Sequence, residues 1–115
     1  MEFFLHILSR LPVKDVYVSI DKDCLNNEYA LTNWEEGAMS LDDLLVMLKL
    51  IKEKTNIVGV DITGDYSDIS IKSTIKHLAS YIDHPKHVKA QALSESVITS
   101  VNEETNLKIL EILNP

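Results

Sequence analysis

The sequence predicts an α/β fold, a parallel sheet with flanking helices, on three observations. Two β-branched, largely apolar runs, "VYVSID" (16–21) and "NIVGVDI" (56–62), read as strands. Their near-continuous apolar character is that of parallel strands covered on both faces. Between them, residues 40–54 carry helical periodicity, so strand, crossover helix and strand form a βαβ unit of right-handed connection.

The remaining elements follow in chain order. In "EFFLHILSRL", Phe3, Phe4, Ile7, Leu8 and Leu11 recur at helical spacing and Pro12 closes the segment. No capping residue precedes that helix, which leads us to expect a chain cut from something longer. Residues 22–39 are polar and irregular, with Asn26, Asn27, Asn33 and Gly37. Ser40 then caps "SLDDLLVMLKLIKEK", with Asp43 in the place of the capping-box acid. Leu41, Leu44, Leu45, Met47, Leu48 and Ile51 cover more than one face, which predicts packing against a sheet and a second layer.

Further on, "IKSTIKHLASYI" (71–82) is an amphipathic helix, and "DHPKHVKAQALSES" (83–96) a polar connection around Pro85. "EETNLKILEIL" (103–113) is a closing helix. Two strands are too few for a self-sufficient sheet. Either more strands exist, around Val97 to Val101, or residues 1–115 are part of a larger domain; the second is the expectation.

Composition narrows the function classes. The 115 residues suffice for one domain with a modest core, and 45% hydrophobic with 25% charged residues is ordinary for a globular protein. Eighteen acids against eleven bases give a net charge of −7, which argues against nucleic acid or an anionic membrane as partner. No apolar run approaches the roughly 20 residues of a membrane-spanning helix, and "EFFLHIL" lacks the basic lead of a signal peptide. The lone Cys24 has no internal disulfide partner, which fits a reducing, cytoplasmic setting. No local signature supplies a base to make it a nucleophile.

The candidate site is at the end of the first strand. Asp21 and Asp23 alternate along an extended chain and so project to one face. They stand at the carboxyl end of a parallel strand, where α/β sheets place ligands. A divalent cation taking oxygen ligands, Mg, Ca or Mn, would hold both ionised; the other reading is two surface acids. Asp61, inside the second apolar run, must find a partner: a loop amide, the neighbouring strand or a ligand. Asp65 follows Gly64 just beyond that strand. His84 and His87, three apart beside Asp83, read as a solvated loop, lacking further ligands at recognisable spacing. Trp34 is either a hydrophobic anchor or a pocket lining.

Taken together, "YVSIDKDCL", "TNWEEGAMSLDDLL" and "IVGVDITGD" resemble the carboxyl-terminal part of the arginase/agmatinase (ureohydrolase) family, over about residues 12–66. The resemblance implies an arginase-like three-layer α/β/α domain. It implies that Asp21 and Asp23 are two aspartates of a binuclear manganese centre, which activates water to attack a guanidinium or amidine carbon. Ser19 would then orient that strand end. Gly37 matches one loop glycine, with Ala38 at the other, and Asp61 matches the Gly-x-Asp-Ile aspartate.

The departures also carry meaning. Gly64 stands where the family places a substrate-holding glutamate, and Asp65 is one residue late. His6, His77, His84 and His87 match none of the family's ligand motifs, and the catalytic residues remain unidentified. The function implied is a segment of a metal-dependent hydrolase acting on C–N bonds of a linear amidine or guanidine, a small-molecule substrate. The alternative is a non-catalytic arginase-fold module that self-associates, as a homo-oligomer, or binds a protein partner.

Overall fold

A computed structural model of the chain describes residues 1–34, 36–66 and 95–114. The predicted helix over 71–82, the connection around Pro85 and the histidines His77, His84 and His87 lie outside the described residues. Helix α1 spans Glu2–Ser9, strand β1 Asp15–Asp21, helix α2 Leu41–Lys54, strand β2 Asn56–Thr63 and helix α3 Glu95–Leu113. A single 3-10 turn, Lys22–Cys24, follows β1 directly.

The two strands pair in parallel, as the βαβ reading requires, in a register from Asp15 opposite Asn56 to Asp21 opposite Thr63. One irregularity falls between Val16 and Tyr17, so Val58 is an extra residue in β2. The described part of the protein is therefore mixed α/β, with a two-stranded parallel sheet.

Strand burial differs from the expectation of two covered faces. Along β1, Val16 and Val18 are half-buried and Ile20 is buried, whereas Asp15, Tyr17, Ser19 and Asp21 are exposed. The apolar face, with Val60 and Ile62 of β2, meets a core of Ile20, Leu25, Ala30, Leu41, Leu44, Leu48 and Ile109. Tyr17, Ser19 and Asp21 of β1, with Gly59, Asp61 and Thr63 opposite them, make the other face polar. The alternation in "DVYVSID" sets this division, since adjacent strand residues point to opposite sides.

Helix α2 begins as predicted: the Ser40 hydroxyl accepts from the Asp43 N–H at 3.1 Å and donates to Asp43 Oδ2 at 2.7 Å. Leu41, Leu44 and Leu48 are buried, Leu45 and Ile51 pack half-buried against the same core, and Val46 is exposed. This helix packs mainly against α3. Lys52 ties the two together by donating to the carbonyls of Ile112, at 2.9 Å, and Asn114, as a cation does at a helix C-terminus.

Helix α3 starts eight residues earlier than the periodicity of 103–113 indicates, and the stretch Val97 to Val101 is helical and not a further strand. Ile98, Asn102, Thr105 and Ile109 form its buried stripe, spaced four, three and four apart. Helix α1 buries no residue, and Phe3 is 77% exposed.

Candidate functional site

The carboxylates gather where β1 and β2 end side by side. Asp21 is the last residue of β1 and caps the turn that follows: its Oδ1 accepts from the Asp23 N–H at 3.1 Å. The chain leaves the extended conformation there, so Asp23 sits mid-turn. Strand alternation thus does not set its direction, and the expectation of two acids sharing a strand face is replaced by a cap and a turn residue. Asp23 Oδ1 is buried and has no hydrogen-bond partner among the described residues. A buried polar atom without a partner costs free energy unless something supplies a proton or a cation.

Two backbone segments close over this turn. Gly64 adopts φ +86°, a left-handed conformation that side chains rarely take. A Cβ there would lie 2.9 Å from Asp21 Oδ1, 3.1 Å from the Lys22 amide nitrogen and 3.3 Å from that of Asp23. The position that the resemblance assigns to a substrate-holding carboxylate is held to glycine by its backbone. On the other flank, Gly37 runs so close to Cys24 that a Cβ would fall 2.0 Å from the Cys24 carbonyl oxygen. Its N–H donates to the Leu25 carbonyl at 3.0 Å, and Met39 N–H to that of Cys24 at 3.1 Å.

Asp61 finds its partners on the neighbouring strand, one of the alternatives open from sequence. Ser19 Oγ donates to its Oδ1 at 2.6 Å and the Tyr17 hydroxyl to its Oδ2 at 3.3 Å. The negative charge of Asp61, with a smaller effect of burial, holds the Tyr17 phenol above its ordinary pKa. Asp65, half exposed, receives the ammonium of Lys22, whose side chain is fully buried. The Cys24 thiol is pushed up by burial, then by the charge of Asp21, with a smaller effect from Asp23, which disfavours the nucleophilic thiolate.

Trp34 is half exposed. Its backbone N–H donates to Thr32 Oγ1 at 3.2 Å. Its loop is held from α3. Asn102 accepts from Leu31 N–H at 2.9 Å and donates to the Leu31 carbonyl at 2.8 Å, and Thr105 donates to the Tyr29 carbonyl. Sequence reasoning missed Lys22, Tyr17, Asn102 and Thr105. For the last two a signal existed, since they share a helical stripe with Ile98 and Ile109.

An apolar groove of about 380 Å³ lies elsewhere, between Val60 and Leu107, Leu110, Glu111, Leu113 and Asn114 at the end of α3 and just beyond it, and none of its lining residues is a site carboxylate. Among the described residues, no group of three or more His, Cys, Asp and Glu converges to hold a metal, and no helix is long and apolar enough to cross a membrane.

No family model matches the chain, and no solved structure does. An uncharacterised protein of Thermotoga maritima is 46% identical over 61 residues, covering 53% of this chain and 23% of that protein. The chain spans about a quarter of the length of that relative.

Proposed function

We propose that the chain is a segment of an arginase-like metal-dependent hydrolase, to whose binuclear manganese centre it contributes Asp21 and Asp23. The observation that carries this reading is the buried, unpartnered Oδ1 of Asp23 beside Asp21 at the carboxyl end of a parallel strand pair. Both groups are oxygen donors, the kind that manganese takes. They supply half a site or less, and the other ligands come from outside the described residues. The partial span of the Thermotoga maritima protein accords with a longer polypeptide around this segment. When bound, the metal pair supplies Lewis acidity and an activated water for attack on a C–N carbon.

This chain's own part is to fix two carboxylates at the strand end. Gly64 places no carboxylate against the guanidinium of a substrate, so a linear amidine or guanidine other than arginine or agmatine is the substrate class. The test is a manganese titration followed by loss of the free-ion paramagnetic resonance signal, paired with an assay for C–N hydrolysis. The 115-residue chain alone holds manganese weakly or not at all. In the longer polypeptide, Asp21→Ala and Asp23→Ala each lose metal and activity. Unchanged activity in both variants removes the ligand assignment, and two tightly held ions in the isolated chain overturn the half-site.

A second reading, a non-catalytic module that self-associates, draws on α1, where Phe3, Leu5 and Ile7 are exposed on one short helix. It predicts a dimer with two-fold symmetry, which light scattering of the purified chain detects and Phe3→Asp disperses.

A further inference from the structure

We infer that Lys22, acting through Asp65, is a positioning residue for the Asp23 carboxylate; this rests on the metal-site reading above. The 3-10 turn that carries Asp23 is only three residues long and so has little stiffness of its own. It is pinned from outside at both ends. On its C-terminal side, Met39 N–H and Gly37 N–H donate to the carbonyls of Cys24 and Leu25. On its N-terminal side, the last ladder pair is Asp21 opposite Thr63, and beyond it the Lys22 side chain ties the turn to Asp65 in the loop after β2.

The pin is unusual for a charged pair. The Lys22 side chain is wholly buried, although its partner is half exposed. Fixing a lysine costs side-chain entropy, and burying its ammonium costs solvation. The return is a fixed attachment between the turn and the loop after β2, at the point where Gly64 lies against the backbone of residues 21–23. Asp23 stands between this pin and the Gly37–Met39 pin, with its Oδ1 already withdrawn from water. A carboxylate whose backbone is held on both sides meets a cation without paying to order itself first.

The test uses Tb³⁺, a hard trivalent probe that binds carboxylate oxygens more strongly than divalent ions do. Affinity is read by titration, and the luminescence lifetime in H₂O against D₂O reports the waters on the ion. Lys22→Met and Asp65→Asn are each expected to weaken Tb³⁺ binding about tenfold, the lower end of what support residues contribute at metal sites. Water should replace Asp23 and shorten the lifetime in H₂O. The double variant should be no weaker than either single one, because the two residues act as a unit, and Asp65→Glu should restore both readouts. Circular dichroism confirms that each variant is folded, and Asp65→Asn, at an exposed side chain, serves if Lys22→Met does not fold.

Three results overturn the inference. If Asp23→Asn abolishes binding while Lys22→Met and Asp65→Asn change neither affinity nor lifetime, the pin is not a positioning device and the metal reading stands. If Lys22→Met tightens binding, loss of the ammonium's repulsion of the cation outweighs any positioning of Asp23, and the inference fails. If Asp21→Asn and Asp23→Asn leave Tb³⁺ binding unchanged, the metal reading fails and takes the inference with it.

Discussion

Replacing Gly37 by alanine tests how closely the two loop segments at the strand end must approach. The new Cβ would lie 2.0 Å from the Cys24 carbonyl oxygen, 2.3 Å from its carbon and 2.7 Å from its Cα. All three are backbone atoms, so no rotamer change relieves the contact. The segment must retreat by about 1 Å to reach even a tight separation, which is enough to break hydrogen bonds of ordinary length. At risk are Gly37 N–H to Leu25, Met39 N–H to Cys24 and Asn26 N–H to Met39, at 3.0, 3.1 and 3.0 Å. At about 1 kcal/mol net for each bond, the expected loss is about 3 kcal/mol, a large fraction of a typical domain's stability. Urea unfolding of Gly37→Ala against wild type measures it as a lower midpoint at unchanged slope. Ala38→Gly, at an exposed neighbour, serves as the control and should cost less than about 1 kcal/mol. A Gly37→Ala change within about 0.5 kcal/mol of wild type, the usual range for surface substitutions, refutes the close-approach argument.

Two further predictions concern the sheet face and the α3 anchor. Absorbance titration should show one phenol ionising above the ordinary tyrosine range, and Asp61→Asn should bring it down, because the Asp61 charge is the main cause of the shift. A raised folded-state value means that the Tyr17–Asp61 contribution is complete below the unfolded tyrosine pKa, near 10, and is lost as pH rises through the folded one. Asn102→Ala should destabilise by about 2 kcal/mol, since it strands both the N–H and the carbonyl of Leu31; calorimetry that finds no fall in melting temperature would reject that anchoring role.

Much of the architecture was legible because local chemistry and tertiary packing agree. The Ser40–Asp43 cap announces α2, and the β-branched runs announce both strands and their parallel pairing. The start of α3 was not, because "SVITSV" has β-branched chemistry while its burial follows helical spacing, and tertiary contacts override that propensity. Two of the four stripe residues, Asn102 and Thr105, are polar, so a search for apolar periodicity passes over them. The open sheet face was visible in the alternation of "DVYVSID" but was masked by counting valines and isoleucines as a continuous run. At the site, the positions of Asp21 and Asp23 were found from strand-end logic. Their relation was not, because a 3-10 turn begins where the strand stops, and a lysine between two acids gives no sign of burial.

The anchoring of the Tyr29–Leu31 loop by α3 also sets an order of events. These bonds join residues 71 and 76 positions apart in the chain. Closing so long a loop is entropically costly and slow relative to local turns and helices. The βαβ unit contains its own strand pairing and can form early, but the Tyr29–Leu31 segment lacks its bonds to Asn102 and Thr105 until α3 docks. The Tyr29–Leu31 segment therefore reaches its final hydrogen bonding only after α3 has formed and docked, later than the strand pairing that fixes the sheet.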